Sequence, residues 1–403
     1  MALALGLVAV QAWAWYELRA ARAALVRYHP HEARAALASC SRVWGERPSV
    51  RLLACRAAWQ DGDLSAADDE LRAAQQLTDG ATDETAFEWA LLQAAAGNVR
   101  DVEQYLQRRA EQSPEAAPLV WEALAIGYLR VYRSLDAMAL LNLWLKNDPD
   151  NARALELRGQ TYVTGRGVVR GADDFRRALE LDPSRRSSRW QLIQALVALG
   201  GYSEAIGHLE SFMRAQPGDP KVLATLARCY FFERRHDEAW SLLERALAEH
   251  PDNGLCIRTR GQFALMDNQP AQAEQWLRRA VAAMPEDHQS HWLLFESLRL
   301  QGKTKAAEEQ KQKAEAIKDR SARLTELRSR TLAEFPLDPA VHYEMGKLLI
   351  DTGRAENGER WFLTALELDP EHRPSHAALA AYYESRGDKE KAQLHSARAK
   401  SKE

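Results

Sequence analysis

Residues 117–149 read APLVWEALAIGYLRVYRSLDAMALLNLWLKNDP, and the closing phrase of this stretch returns along the chain at a fixed interval. The interval is identical between the successive prolines Pro149, Pro183, Pro217, Pro251 and Pro285. The phrases ending on them are LKNDP, LELDP, MRAQP, LAEHP and VAAMP, and LELDP recurs at Pro370. Proline disfavours helix in the residue before it, so each phrase predicts the end of a helix. The chain is therefore an array of internal repeats.

Two further columns keep the same interval, where a column is the set of residues at one position of successive repeats. Small residues form the first column: Ala137, Gly171, Ala205, Ala239, Ala273 and Ala307. Large apolar residues stand four positions later: Leu141, Phe175, Leu209, Leu243 and Leu277. This spacing predicts a hairpin of two helices that approach closely at the small residue. One hairpin cannot bury its apolar stripe alone, so neighbouring hairpins must stack.

The repeated unit resembles the tetratricopeptide repeat, a helix–turn–helix unit of about 34 residues. In residues 117–149 the family's signature columns hold Trp121, Leu124, Ala125, Tyr128, Ala137 and Pro149. Gly159, Gly261 and Gly346 fill the glycine column in three other units. The resemblance covers nearly the whole chain and implies an all-α fold, an α-solenoid wound as a right-handed superhelix. We expect about ten to eleven helical hairpins.

The period divides the chain into four parts. Residues 1–23 form an apolar N-terminal segment, and residues 24–302 hold the main array. Its units begin near residues 14, 48, 83, 118, 152, 186, 220, 254 and 288. Residues 303–338 shift the phase by half a repeat and predict a long charged helical insertion, and residues 339–403 form a C-terminal pair of repeats.

The N-terminal sequence MALALGLVAVQAWAWY, residues 1–16, contains a single polar residue, Gln11. We expect a signal anchor or transmembrane helix, with Trp13, Trp15 and Tyr16 at the membrane interface. Two alternatives stay open, a cleaved secretory signal and a soluble helix packed on the array. The arginines that follow the segment favour a cytoplasmic array over an exported one, although a basic segment preceding Met1 would reverse this orientation.

Composition excludes several classes of function. The 403 residues carry 54 Lys and Arg against 57 Asp and Glu, a net charge of −3, so the basic excess of a nucleic-acid-binding protein is missing. Four cysteines in this length are too few for a disulfide scaffold, and none forms a C-x-x-C motif. We expect no nucleic-acid partner.

No motif in the sequence predicts catalysis, a cofactor or a metal ion. Gly165, Gly167 and Gly171 lack a preceding strand and fall at the turn of a hairpin, so they predict a tight turn rather than a phosphate loop. His372 and His376 have a spacing that metal ligands can use, but Pro374 lies between them at a helix start. We interpret these histidines as capping or solvated residues and the protein as a non-enzyme.

The resemblance implies a binding surface, because in tetratricopeptide repeat proteins the first helices line a concave groove that holds a peptide. The corresponding face here carries Arg153, Gln160, Trp190, Gln194, Arg228, Phe232, Arg258, Gln262, Trp292, Glu296 and Arg299. Arginine can donate two parallel hydrogen bonds to a carboxylate. Arginine and tryptophan are also common among the residues that contribute most to binding energy. Glutamine can pair with a peptide backbone, so the predicted ligand is an extended or partly acidic peptide. A merely solvated concave wall is the alternative interpretation.

These observations favour a non-catalytic scaffold that binds a protein or an extended peptide and is tethered to a membrane by its N-terminal helix. Two other functions stay open. The first is an exported factor in cell-envelope assembly, and the second is a regulatory subunit of a separate enzyme.

Overall fold

The computed structural model describes residues 2–78, 80–165, 167–335 and 337–400, with the backbone alone at 2–7, 329, 330 and 333. Every regular element in this part of the chain is a helix. Successive helices in the described residues pair as hairpins, ten of them through direct contacts between the two helices. The all-α solenoid predicted from the sequence is confirmed.

The chain divides into two compact units. Unit 1 comprises Met1–Thr161 and Arg177–Pro183, and unit 2 comprises Tyr162–Arg176 and Ser184–Glu403. The helices up to the boundary are α1 Ala2–Val26, α2 Pro30–Trp44, α3 Pro48–Asp61, α4 Leu64–Leu77, α5 Asp83–Ala96, α6 Val99–Gln112, α7 Ala117–Arg130, α8 Ser134–Asn147, α9 Ala152–Thr164 and α10 Val168–Leu181.

The later helices all belong to unit 2. They are α11 Arg186–Leu199, α12 Tyr202–Ala215, α13 Pro220–Phe232, α14 His236–Glu249, α15 Gly254–Met266, α16 Pro270–Ala283, α17 His288–Leu300, α18 Thr304–Glu326, α19 Leu332–Glu334, α20 Pro339–Asp351, α21 Ala355–Leu368, α22 Arg373–Ser385 and α23 Lys389–Lys400. A short π-helical turn, Leu327–Thr331, joins α18 to α19.

The small and large columns lie in the core, as close helix packing requires. Ala205, Ala239 and Ala273 are fully buried on the second helices of their hairpins. Leu209, Leu243 and Leu277 are buried one helical turn later. A Cβ atom at Gly261 would lie 2.6 Å from Cγ of Leu277, so the glycine column marks a further close contact. Packing of this density makes each hairpin sensitive to added volume.

Helix starts follow from a polar residue two positions after a repeat proline. The side chains of Asp219, Asn253 and Asp287 accept hydrogen bonds from backbone N–H groups at the starts of α13, α15 and α17. Such N-caps satisfy donors that have no partner within the helix. The proline that ends one hairpin and the cap that begins the next therefore belong to one short signal.

The turn between the two helices of a hairpin needs one residue in the left-handed region. Gly200 and Gly302 have φ of 79° and 71°, and the corresponding residues Arg234 and Asn268 have φ of 65° and 56°. Glycine adopts this conformation without steric cost, whereas a side chain such as that of arginine is strained there.

The segment after α17 is a single long helix, α18, of 23 residues. Ala307, Ala314, Ile317 and Leu324 are buried along one face. The rest of the helix carries the charged residues noted in the sequence. The four-part division of the chain, including its boundaries at 303–338, stays a prediction.

The prediction of a membrane-spanning N-terminal helix is wrong. Among the described residues no helix is both long enough and apolar enough to cross a bilayer. The helix continues without a break from the apolar run into Glu17 and Arg19, and α1 then buries Leu18 and Ala21 against α2. The membrane location derived from that helix therefore has no support. Met1 and the C-terminal residues 401–403 lie outside the described residues.

Within α1, the half that follows residue 13 packs on the array. Ala14, Leu18, Ala21, Ala24 and Leu25 are buried. The indole Nε1 of Trp44 donates to Oε1 of Gln11 at 2.6 Å, and the rings of Trp15 and Trp44 meet edge to face. These contacts match the alternative in which the segment packs on the array.

Candidate peptide-binding cleft

The first helices of three successive hairpins in unit 2, α11, α13 and α15, form the walls of a cleft of about 460 Å³. Its lining residues are Gln194, Val197, Ala198, Tyr202, Lys221, Ala224, Thr225, Arg228, Phe232, Leu255, Arg258, Thr259, Gln262 and Gln289. The lining is mixed, with apolar, amide, hydroxyl and cationic side chains. A surface of this kind suits a peptide better than an apolar small molecule.

The cleft is positively charged. Lys221, Arg228 and Arg258 contribute three cations, and no aspartate or glutamate is among the lining residues. Walls of low dielectric strengthen the field of such a cluster and raise the local concentration of anions. The positive charge is local, because the chain as a whole carries a net charge of −3.

Arg258 is held by a carboxylate at the edge of the cleft. Its Nη1 donates to both carboxylate oxygens of Asp287, at 2.7 and 2.8 Å. Asp287 also caps α17, accepting from the backbone N–H of Ser290 at 2.9 Å and from its hydroxyl at 2.5 Å. Burial raises the pKa of Asp287, but the hydrogen bonds from Ser290 and the charge of Arg258 outweigh burial and hold it below the ordinary value. This network fixes the Arg258 guanidinium in place.

Arg228, on α13, has a different environment. It is half-buried, and within the described residues it makes no hydrogen bond or ion pair. Burial lowers the pKa of Arg228, and the like charge of Arg258 lowers it further. A partly desolvated cation without a carboxylate partner costs stability. The cleft therefore contains a guanidinium with unused donors.

Aromatic rings cover one side of the cleft. The rings of Tyr202 and Phe232 stack at a centroid distance of 4.6 Å with 7° between their planes. Nζ of Lys221 lies 4.4 Å from the ring centroid of Trp190, which packs in turn edge to face on Phe212. These rings offer a fixed apolar surface next to the cations.

The structure brings together five of the eleven residues predicted for the groove. They are Gln194, Arg228, Phe232, Arg258 and Gln262. Trp190 stands behind Lys221 and does not line the cleft. Trp292 packs against Phe295 on α17, and Glu296 and Arg299 lie further along the same helix, outside the cleft lining. Their role in binding, like that of the other predicted residues, stays a prediction.

Arg153 and Gln160 belong to unit 1, where carboxylates of the same unit neutralise the charge of Arg153. Nε of Arg153 donates to Oε1 of Glu122 at 2.9 Å, and Glu156 lies 3.5 Å from its Nη1. Arg153 therefore has its carboxylates already, unlike Arg228. Gln160 is half-buried on α9.

A column of glutamates in unit 1 was missed by the sequence analysis. Glu88, Glu122 and Glu156 follow one another at the repeat interval and are almost completely buried. Arg56 donates to both carboxylate oxygens of Glu88, at 3.3 and 2.6 Å, and Gln60 donates to Glu122 at 2.6 Å. The repeat interval of these three glutamates is visible in the sequence, whereas the arginines with which they pair are not.

Several cleft residues were also missed, and one of them could have been found. Lys221 occupies the column of Arg153, two repeats later, so the same reasoning that selected Arg153 selects Lys221. Tyr202 begins α12, the second helix of a hairpin that forms the cleft, and Gln289 lies in the first turn of α17; no column predicted their approach to the cleft.

The described residues contain no group of three or more histidine, cysteine or acidic side chains arranged to hold a metal ion. His372 contacts the hydroxyl of Ser375 through Nδ1 at 2.8 Å, and His376 pairs with His395. Gly167 closes the α9–α10 turn with a backbone hydrogen bond to Tyr162, while Arg166 within the glycine trio lies outside the described residues.

Sequence models of a protein family match several of these repeats. A tetratricopeptide repeat model matches residues 196–256 and 233–295, the stretch that contains most of the cleft, and a second such model matches residues 339–372. Residues 196–295 and 339–372 are therefore tetratricopeptide repeats. Proteins of this family are generally non-catalytic scaffolds that bind protein or peptide partners.

Curated relatives match parts of this array. Tetratricopeptide repeat protein 14 of Mus musculus is 36% identical over 100 residues, which is 25% of this chain and 13% of the relative. Protein O-mannosyl-transferase TMTC1 of Homo sapiens is 26% identical over 172 residues, 41% of this chain and 19% of the relative. The matched region therefore spans less than a fifth of either relative.

Solved structures to which this chain is similar include the human IFIT1 dimer with m7Gppp-AAAA, at 17% identity and a TM-score of 0.40, covering 88% of this chain and 90% of that one. A tetratricopeptide repeat protein from Parabacteroides merdae matches at 19% identity and a TM-score of 0.37, covering 62% of this chain and 98% of that one.

Proposed function

We propose that this tetratricopeptide repeat protein is a non-catalytic scaffold that holds an extended segment of another protein in the cleft of unit 2. The observation that carries the proposal is the unpaired guanidinium of Arg228 among amide and aromatic side chains. A peptide supplies what this lining lacks, namely backbone groups for the amides, apolar surface for the rings and an acceptor for the guanidinium.

The direction of the segment follows from the cleft walls. Gln194 on α11, Arg228 on α13 and Gln262 on α15 occupy one column, so they succeed one another across three hairpins. A ligand that contacts all three runs across the helices rather than along one of them. An extended strand fits this path, since it presents backbone donors and acceptors along its whole length.

Site-specific photocrosslinking tests the proposal. The photoreactive amino acid p-benzoylphenylalanine replaces Gln194 or Gln262 in the cleft, and it replaces Ala248, an exposed residue of α14, as the matched control. We expect one partner to crosslink from both cleft positions and not from the control. Peptide mapping should place both crosslinks within one continuous stretch of the partner.

Two results would contradict the proposal. A partner that crosslinks equally from the Ala248 position uses another surface. A partner whose two crosslinks map to distant parts of its sequence presents a folded surface instead of an extended segment. A nucleic-acid partner is not expected, in view of the net charge of −3.

A further inference from the structure

Arg228 is in an unfavourable state when the cleft holds no ligand. The guanidinium is half-buried beside the like charge of Arg258, and within the described residues it has no acceptor. Arg258, by contrast, has both of its nearest acceptors in the carboxylate of Asp287. An anion that enters the cleft therefore finds unused hydrogen-bond donors on the half-buried guanidinium of Arg228 and on the exposed ammonium of Lys221, while Arg258 adds positive potential.

The geometry of the guanidinium selects the kind of anion. Its planar fork matches the two oxygens of a carboxylate and can donate two parallel hydrogen bonds to it. Charge-assisted bonds of this type are about twice as strong as neutral ones. No acidic residue lines the cleft, and the carboxylate of Asp287 at its edge is already paired with Arg258.

The neighbours of Arg228 show where in a peptide the carboxylate lies. Gln194 precedes it and Gln262 follows it in the same column. Both amides line the cleft, so the peptide backbone has partners on either side of the guanidinium. If the peptide ended at Arg228, one of these two amides would have no peptide backbone to bind. The position therefore suits a side chain in the middle of a segment.

The residue next to that side chain is apolar by the same reasoning. The stacked rings of Tyr202 and Phe232 line the cleft beside Arg228. An aromatic ring of the ligand that packs edge to face or offset on these rings is stabilised beyond the area that it buries.

We infer that the cleft is specific for an internal acidic side chain flanked by aromatic residues, with Arg228 as the anchor of the carboxylate. This inference rests on the proposed function, because it names the ligand chemistry of the same cleft. Arg258 and Lys221 stabilise the bound anion through space, and the two glutamines hold the backbone.

Three short peptides test it, all acetylated at the N-terminus and titrated calorimetrically into the full chain. The first has the sequence Ser-Phe-Glu-Phe-Ser with an amidated end. The second replaces its glutamate by glutamine, and the third has the glutamine and a free C-terminal carboxylate. We expect the glutamate peptide to bind at least about tenfold tighter than either of the others, a difference of about 1.4 kcal/mol.

Variants assign the discrimination to one residue. In Arg228→Gln the dissociation constants of the two amidated peptides should become about equal, because the guanidinium that binds the carboxylate is absent. Arg228→Lys should keep part of the preference, since its charge remains but the two-pronged geometry is lost. The matched control Arg214→Gln changes an exposed arginine at the end of α12 and should keep the full ratio. Thermal unfolding of each variant verifies that the fold is intact.

The outcomes separate this inference from the function on which it rests. If the glutamate and glutamine peptides bind the wild-type chain equally, the cleft binds peptides and the carboxylate anchor is wrong. If the peptide with the free C-terminus binds as well as the glutamate peptide, the cleft takes a chain end. If Arg228→Gln still prefers the glutamate peptide over the glutamine peptide, another cation binds the carboxylate. If none of the three peptides binds, the proposed function fails together with the inference.

Discussion

Arg228 and Arg258 face the same cleft from neighbouring first helices, and among the described residues only Arg258 has a carboxylate partner. The partner, Asp287, belongs to the next hairpin and also caps its first helix. One side chain thus links the orientation of a cleft residue to the stacking of two repeats. The other arginine stays available to a ligand.

Substitutions separate the two roles of Asp287, the N-cap of α17 and the ion pair with Arg258. Asp287→Asn keeps a good N-cap residue and removes the charge, whereas Asp287→Ala removes both. We expect the alanine variant to lose about 2–4 kcal/mol of stability, since it leaves Arg258 unpaired and α17 uncapped. The asparagine variant should lose less. Hydrogen exchange of α17 measures both, and equal effects of the two variants would contradict a role for the ion pair.

The pH dependence of the same contact has a definite sign. The pKa of Asp287 is lower in the folded protein than the ordinary value of 3.8. The unfolded chain therefore binds the proton more readily, and the stabilisation is present above pH 3.8 and disappears as the pH falls through the lower folded pKa. Below that range, α17 should exchange equally fast in the wild type and in Asp287→Asn.

The C-terminal hairpin should respond to mild acid through a pair of histidines. Nδ1 of His376 and Nδ1 of His395 lie 2.8 Å apart, and Nε2 of His376 donates to the carbonyl of Pro370. Burial, then His376, Arg398 and Lys391, lower the pKa of His395. A histidine with a lowered pKa binds its proton more readily when unfolded, so stability falls as the pH drops below 6.5.

Hydrogen exchange of Arg373–Ser385 between pH 7.5 and pH 5.5, a range of about one unit on each side of the ordinary histidine pKa, measures this effect. After correction for the intrinsic exchange rate at each pH, we expect faster exchange at the lower pH. The pH dependence should be much weaker in His395→Gln. An unchanged pH dependence in that variant would show that other groups titrate.

The hairpin crossing at Ala239 should not accept a larger side chain. Ala239 is fully buried on α14. Ala239→Leu should cost about 1–3 kcal/mol by overpacking. Ala248→Leu makes the same chemical change at an exposed position of the same helix and should be nearly neutral. Urea unfolding compares the two, and equal midpoints would contradict the assigned crossing.

The left-handed turn column predicts a stabilising substitution. Arg234 has φ of 65° where Gly200 has 79° in the corresponding turn. Arg234→Gly should raise stability by about 0.5–1 kcal/mol, because relief of the backbone strain exceeds the added entropy of the unfolded chain. The reverse change, Gly200→Ala, should cost about 1 kcal/mol; a Cβ atom there meets nothing within 4 Å, so the cost reports the backbone alone. Opposite signs of the two shifts in melting temperature are the expected result.

The sequence alone determined the fold of this protein because the repeat is local. Proline, cap and small residue recur once in every repeat, and each acts on its own hairpin through backbone geometry and close packing. The same locality misled the interpretation of the N-terminus, where hydropathy could not show that Leu18 and Ala21 pack on α2.

Tertiary structure decided which charges are free. Arg153 and Arg228 both lie on first helices and were predicted as equivalent groove residues, yet Arg153 meets Glu122 from the preceding hairpin and Arg228 meets no carboxylate in the described residues. Pairing depends on distances between side chains of different repeats, which a column of residue types does not contain. The period therefore predicts which faces meet, and the packing of neighbouring hairpins decides which cation is left for a ligand.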